Sequence, residues 1–194
     1  PAVAPGMPMN QVLRDSRYWV LSLCYTFALV AQISAFIHQT AFGMELGIDL
    51  IKAALLPGYI GLASIGGRFF FGWLSDRLRD AKYAASLGFL FMAAGVGVLL
   101  VASTMNHMVL YALLFGFGYG SIAPLMPYLL ADRFGSLVLG ASYGMLTFFV
   151  AGIGGSTGAI VSGMIYDSFG SYTAAWWMDL ILLLAAAILV ASLK

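Results

Sequence analysis

The chain has 194 residues, 62% of them hydrophobic and only 9% charged, whereas a soluble domain carries roughly 25% charged residues; its mean hydropathy is +0.96. That composition excludes a soluble globular domain and defines an integral membrane protein embedded in a lipid bilayer. A net charge of +1 from 9 basic and 8 acidic residues leaves no basic surface for nucleic acid. The single cysteine, Cys24, has no internal disulfide partner and reads as a small apolar filler.

The chain opens at Pro1 with PAVAPGMPMN, which has neither a basic n-region nor an apolar h-region, so no signal peptide is expected. A Pro-rich opening without Met suggests a segment upstream. Residues 1–17 are expected to form a cytoplasmic linker, followed over 18–194 by an all-α bundle of six transmembrane helices. Six apolar spans, 18–42, 53–74, 83–103, 108–130, 137–165 and 172–193, each approach the about 20 residues that cross a hydrocarbon layer. Their connections place Arg14, Arg17, Arg77, Arg79, Lys82, Arg133 and Lys194 on one face and Lys52 alone on the other. The excess of Lys and Arg predicts that both termini are cytoplasmic.

In the first span Tyr25, Gln32 and Gln39 recur every seventh residue and so share a face. Ser34 and His38 form an i, i+4 pair near the outer end. Such groups either bond a neighbouring helix or line a cavity. For His38 a static hydrogen-bonded ring and a titrating, proton-coupling one are both open.

The second span carries Arg68, the one basic side chain within any span. At 1.5 Å per residue it lies ~10 Å above an inner boundary near Ser75, close to mid-membrane. A cation at that depth normally faces a bundle interior or a watery cavity. Either it is structural, bonded to carbonyls or snorkelling, or its planar fork receives a carboxylate-bearing solute. The span ends in Ser75-Asp76-Arg77-Leu78-Arg79, and a second pair, Asp132-Arg133, closes the fourth span on the same face. Together they can build an inside gate of salt bridges, provided they form a network.

The fourth span has Gly116, Gly118 and Gly120 before Pro124 and Pro127, which remove backbone donors and should bend its cytoplasmic half. The fifth contains Gly140 and Gly144, then two small-residue rows, Gly154-Gly158-Ser162 and Gly155-Ala159-Gly163, that permit close helix approach on both flanks. Asp179 lies about two turns into the sixth span, where it either pairs with a helix-end donor or binds a proton or cation.

No connection is long enough for a nucleotide-binding fold, and nothing in the sequence calls for a metal or cofactor. Gly154-Gly155-Ser156-Thr157-Gly158 spells the serine-hydrolase string G-x-S-x-G, but it falls inside an apolar helix with no strand before it, so no enzyme is expected.

The stretch Gly67-Arg68-Phe69-Phe70-Phe71-Gly72-Trp73-Leu74-Ser75-Asp76-Arg77 resembles the eighth helix and following loop of major facilitator superfamily transporters, with the form G-R-x-x-x-G-x-x-[SA]-D-[RK]. Phe36-Ile37-His38, Gly118-Tyr119-Gly120-Ser121-Ile122-Ala123-Pro124 and Gly163-Met164-Ile165-Tyr166-Asp167-Ser168-Phe169-Gly170-Ser171-Tyr172 look like the monocarboxylate and oxalate/formate branch. The resemblance implies the C-terminal half of a twelve-helix transporter, helices seven to twelve, with inverted three-plus-three repeats and alternating access. It implies that Arg68 contacts a substrate carboxylate, with Tyr25, Gln32 and Tyr119 as further substrate-binding candidates. Gly72, Asp76, Arg77, Arg79, Asp132 and Arg133 belong to the cytoplasmic gate. Two departures stand out: Ser64 replaces the Asp that monocarboxylate members often carry four residues before the arginine, and the fifth span lacks the lysine of oxalate-type members.

The expected function is that of a secondary transporter half moving a small organic anion, a monocarboxylate by that resemblance, in a plasma (inner) membrane. Its expected partners are the N-terminal six-helix half and the anion, with His38 and Asp179 as proton-coupling candidates. The alternative is a free-standing six-helix protein acting as a homodimeric pore or structural subunit.

Overall fold

The computed structural model describes residues 7–193. Six helices are long and apolar enough to cross a membrane: α1 (Ser16–Glu45), α2 (Leu50–Arg77), α3 (Lys82–Leu99), α4 (Met105–Phe134), α5 (Leu139–Phe169) and α6 (Thr173–Ser192). They match the expected spans to within a few residues at each end. Among the described residues there is no strand.

The main packing pairs are α1 with α5, α1 with α6, α3 with α6, α3 with α4, and α2 with α4. Exchanging α1 with α4, α2 with α5 and α3 with α6 maps this set onto itself. Helices three apart in an up-down chain run in opposite directions, so the exchange relates two three-helix units of opposite orientation, an inverted repeat.

One face gathers the start of α1, the ends of α2, α4 and α6, and the starts of α3 and α5. Lys82 Nζ donates to the Leu193 carbonyl, the Tyr18 hydroxyl donates to the Ser142 carbonyl at 3.1 Å, and Met7 N donates to the Phe134 carbonyl at 3.0 Å. The segment expected as a linker is therefore docked where it is described. Met9–Val12 is a short helix, Val12 is fully buried, and Asp15 caps α1 by accepting from Arg17 N at 2.9 Å. Residues 1–6 and Lys194 lie outside the described residues.

Two helices depart from regular geometry. α4 divides into Met105–Tyr119 and Ile122–Phe134, and the break at Gly120–Ser121 follows from Pro124. Its missing N–H deprives the Gly120 carbonyl of a partner, and its ring crowds that same carbonyl. α5 contains a π-helical stretch, Val150–Gly155, between Leu139–Phe149 and Ser156–Phe169, which the sequence reading did not anticipate.

Glycine decides the closest seams. A Cβ on Gly116 would stand 2.5 Å from the Ile60 carbonyl, and one on Gly67 would collide with the Phe117 carbonyl, so α2 and α4 touch backbone to backbone. The α1–α5 seam is built alike. Gly154 abuts Thr26 and Leu29, Gly158 abuts the Val30 carbonyl, and Ser162 meets Ser34, so the row 154, 158, 162 lies along the row 26, 30, 34. The second row behaves differently: Gly155 has nothing within 4 Å, and Gly163 only His38 Cε1 at 4.0 Å. The nearby G-x-S-x-G string is thus a packing element, with Ser156 exposed on the helix.

Gly158→Ala should therefore destabilise the purified protein by about 1–3 kcal/mol, the range for overpacking a tight contact. Gly155→Ala, facing open space on the same helix, should change stability by no more than about 0.5 kcal/mol. Thermal unfolding of the two variants in detergent, side by side with the parent, reads the difference.

Candidate functional site

Arg68 is held at its height by its neighbours. The buried stripe of α2, Ile60, Ser64, Gly67, Phe71 and Ser75, is pressed on α4, and a Cβ on Gly120 would stand 2.8 Å from Arg68 N. Phe71 is fully buried and meets Phe117 at 5.3 Å and Phe91 at 6.2 Å between ring centroids. Arg68 itself is exposed. The ion pairs among the described residues, Arg17–Asp15, Lys82–Asp80, Arg133–Asp80 and Arg133–Asp132, leave it out. Among the described residues no acid clamps the guanidinium, so its five donors are available to an anion.

Tyr119, the residue before Gly120, is half-buried and meets Phe36 of α1 edge-on at 5.9 Å. Gln32, one turn before Phe36, is half-buried as well. Arg68, Tyr119 and Gln32 thus come from three elements, α2, α4 and α1, of which α2 packs on α4 and α1 meets α4 through Phe36. Tyr25 and Gln39 do not join them. Tyr25 is 2% exposed and packs edge-on against Phe89 of α3 at 5.5 Å, and Gln39 is fully buried, its amide donating to the Phe36 carbonyl at 3.2 Å. The seven-residue spacing does give one face, but both of its ends are enclosed by protein.

The basic face carries an ion-pair network whose centre differs from the expected one. Arg133 Nη2 donates to both Asp80 oxygens, at 2.7 and 2.6 Å, Arg133 Nη1 donates to Asp132, and Lys82 stands 3.8 Å from Asp80. Asp76 is exposed and takes no part in these pairs. Arg77 lies over the Trp73 ring at 5.0 Å, and Arg79 is exposed beside Asp80, Lys82 and Tyr83. The acid that joins the α2–α3 connection to α4 is Asp80, which sequence reasoning passed over because charge in a short loop carries no sign of which carboxylate turns inward. Burial alone pushes the Asp80 carboxyl up, but the Arg133 hydrogen bonds, the Lys82 amide and the two cations together bring it below the usual carboxylate range.

Near the opposite face, His38 joins α1 to α5 and to the start of α6. Its Nε2 lies 3.2 Å from the Ala159 carbonyl and its Nδ1 3.3 Å from the Tyr172 hydroxyl. A carbonyl only accepts, so Nε2 carries a proton. Asp179 is fully buried and accepts from Ser34 at 2.6 Å. Ser64 is buried against α4 with its hydroxyl donating to the Gly61 carbonyl at 2.7 Å.

The sequence matches the Major Facilitator Superfamily over residues 2–157, most of the chain, and with six membrane-length helices in two inverted units the chain belongs to that superfamily, a family of membrane transporters rather than enzymes. Among curated proteins it is 27% identical to monocarboxylate transporter 12 of Mus musculus, over 83% of this chain and 34% of that one. To monocarboxylate transporter 13 of Bos taurus it is 27% identical, over 89% of this chain and 40% of the relative. To the riboflavin transporter MCH5 of Saccharomyces cerevisiae it is 28% identical, over 78% and 29%. The chain thus spans between 29% and 40% of the length of these three relatives.

The Asp80 network gives a pH prediction. A carboxyl held below its unfolded value of about 3.9 contributes stability that is complete above that value and is lost as pH falls through the folded one. Asp80→Asn should lower stability at neutral pH by roughly 1 kcal/mol or less, the range for partly exposed pairs. It should also flatten the loss of stability on acidification below about pH 4. Thermal melts of parent and variant across that range check both effects.

Proposed function

We propose that this chain is the C-terminal six-helix half of a major facilitator transporter that moves a small organic anion, a monocarboxylate, by alternating access, and that Arg68 binds the carboxylate. The observation that carries the reading is an exposed guanidinium well inside a membrane-length helix, with no acid paired to it among the described residues. A permanent charge at that depth needs either water or an anion. Relatives named as monocarboxylate transporters support the cargo class.

Two features support a missing partner half. Of the apolar stretches of α2 and α5 only 28% and 22% of the residues are buried, against 56% in α1. Along α2, Gly58, Gly61 and Gly72 have nothing within 4 Å. Two exposed helices, one with open glycines, suit close approach by a second bundle. Residues 18–194 then form the six-helix domain, and residues 1–17 lead into it from the other half. The basic face is cytoplasmic by the excess of Lys and Arg, in a plasma membrane, and Gly72, Asp76, Arg77, Arg79, Asp132 and Arg133 lie at the gate on that side. Asp76 stays available there for a helix end of the partner half. Tyr119 and Gln32 line the path beside Arg68, while Tyr25 supports it from within. His38 and Asp179 are the candidates for proton coupling.

In the intact transporter, Arg68→Lys and Arg68→Gln should each abolish uptake of labelled monocarboxylates while membrane insertion, read by protease protection, is unchanged. Full uptake by either variant rules out this role for Arg68. Uptake by liposomes holding the 194-residue chain alone would instead favour a homodimeric pore.

A further inference from the structure

Asp179 lies in the first two turns of α6 and joins three helices. Ser34 Oγ of α1 donates to its Oδ2 at 2.6 Å, and the same hydroxyl stands 2.6 Å from Ser162 Oγ of α5. A hydroxyl has one hydrogen, so with Ser34 donating to the carboxyl, Ser162 donates to Ser34. The chain therefore runs Ser162 to Ser34 to Asp179 and ends on a single carboxyl oxygen. The other oxygen, Oδ1, is buried without a partner, and so is the Tyr111 hydroxyl of α4.

An ionised carboxylate offers about four acceptor sites and, in an apolar interior, needs a cation or several donors. Asp179 has one hydroxyl. From α1 the nearest titratable group is His38, one turn beyond Ser34, with both ring nitrogens engaged by Ala159 and Tyr172. α4 brings Tyr111, α5 brings Ser162 at this level, and the titratable side chains of α3, Lys82 and Tyr83, sit at its basic-face end. Among the described residues no Lys or Arg pairs with Asp179. These surroundings suit a carboxylic acid and not its anion.

We propose that Asp179 is a proton-binding site whose occupancy sets how firmly α5 docks on α1. With the proton on Oδ1, taken from water on the face opposite the basic one, the acid is neutral and the hydroxyl chain closes the top of the row where Gly154, Gly158 and Ser162 lie along Thr26, Val30 and Ser34. When the O–H bond breaks and the proton returns to water, the anion has one donor for its two oxygens. Water must then enter between α1, α5 and α6, and α5, the least buried of the six helices, yields. Ser34 and Ser162 are positioning residues. The proton site stands on this geometry alone; its coupling to cargo rests on the transporter reading above.

Infrared difference spectra of the protein in lipid, taken from mildly acidic to alkaline pH, test the site. A protonated-carboxyl carbonyl band should bleach on alkalinisation, be absent in Asp179→Asn, and move to higher frequency in Ser34→Ala, which removes the one bond to Oδ2. No titrating band, or one unchanged in Asp179→Asn, overturns the site. Amide hydrogen exchange over residues 156–169, corrected for intrinsic rates, should rise with pH in the parent and not in Asp179→Asn. A titrating band with pH-independent exchange there overturns the link to α5. A titrating band in a protein that takes up no anion supports the proton site and counts against the transporter reading.

Discussion

Apolar helices surrounded by acyl chains gain nothing from hiding their side chains from water, so this bundle depends on backbone meeting backbone. Glycines make these contacts in the α3–α4 seam, through Gly88, Gly95 and Gly118, and in two seams related by the inverted symmetry. On one side Gly67, Gly116 and Gly120 let α2 lie against α4, and on the other Gly154 and Gly158 let α5 lie against α1. Between them α3 and α6 are tied by side chains reaching carbonyls, Ser86 to Ala187 at 2.9 Å and Lys82 to Leu193.

The seams sort the charges. Because the stripe of α2 that carries Gly67 is committed to α4, Arg68 is turned away from this bundle and stays free for something from outside it. Because the 154, 158, 162 row is committed to α1, Ser162 is brought to Ser34 and both to Asp179. A cation left open and an acid closed in are thus two results of one packing rule.

Much of this was legible in the sequence, and what was not has physical causes. Membrane helices must satisfy their own backbone, so length and hydropathy marked all six. The proline break in α4 was legible because Pro124 acts on a carbonyl four residues earlier. The placing of Tyr25 and Gln39 was not, because a seven-residue repeat reports a shared face and not which neighbour covers it. Asp76 and Asp80 lie four residues apart in one charged run, and only the path of the α2–α3 connection decides that Asp80 meets Arg133. Of the two small-residue rows in α5, composition rates them equal, whereas only one is pressed against α1. The π-helical stretch left no signal beyond an excess of glycine.

The inverted units match in their pairings yet differ in stiffness. From Leu56 to Arg77 the rod that bears the guanidinium is an unbroken α-helix, whereas its counterpart by symmetry, α5, carries a wider turn from Val150 to Gly155 in which the regular i to i−4 ladder is interrupted. Backbone support against bending is therefore continuous along the first arm and interrupted at one turn of the second.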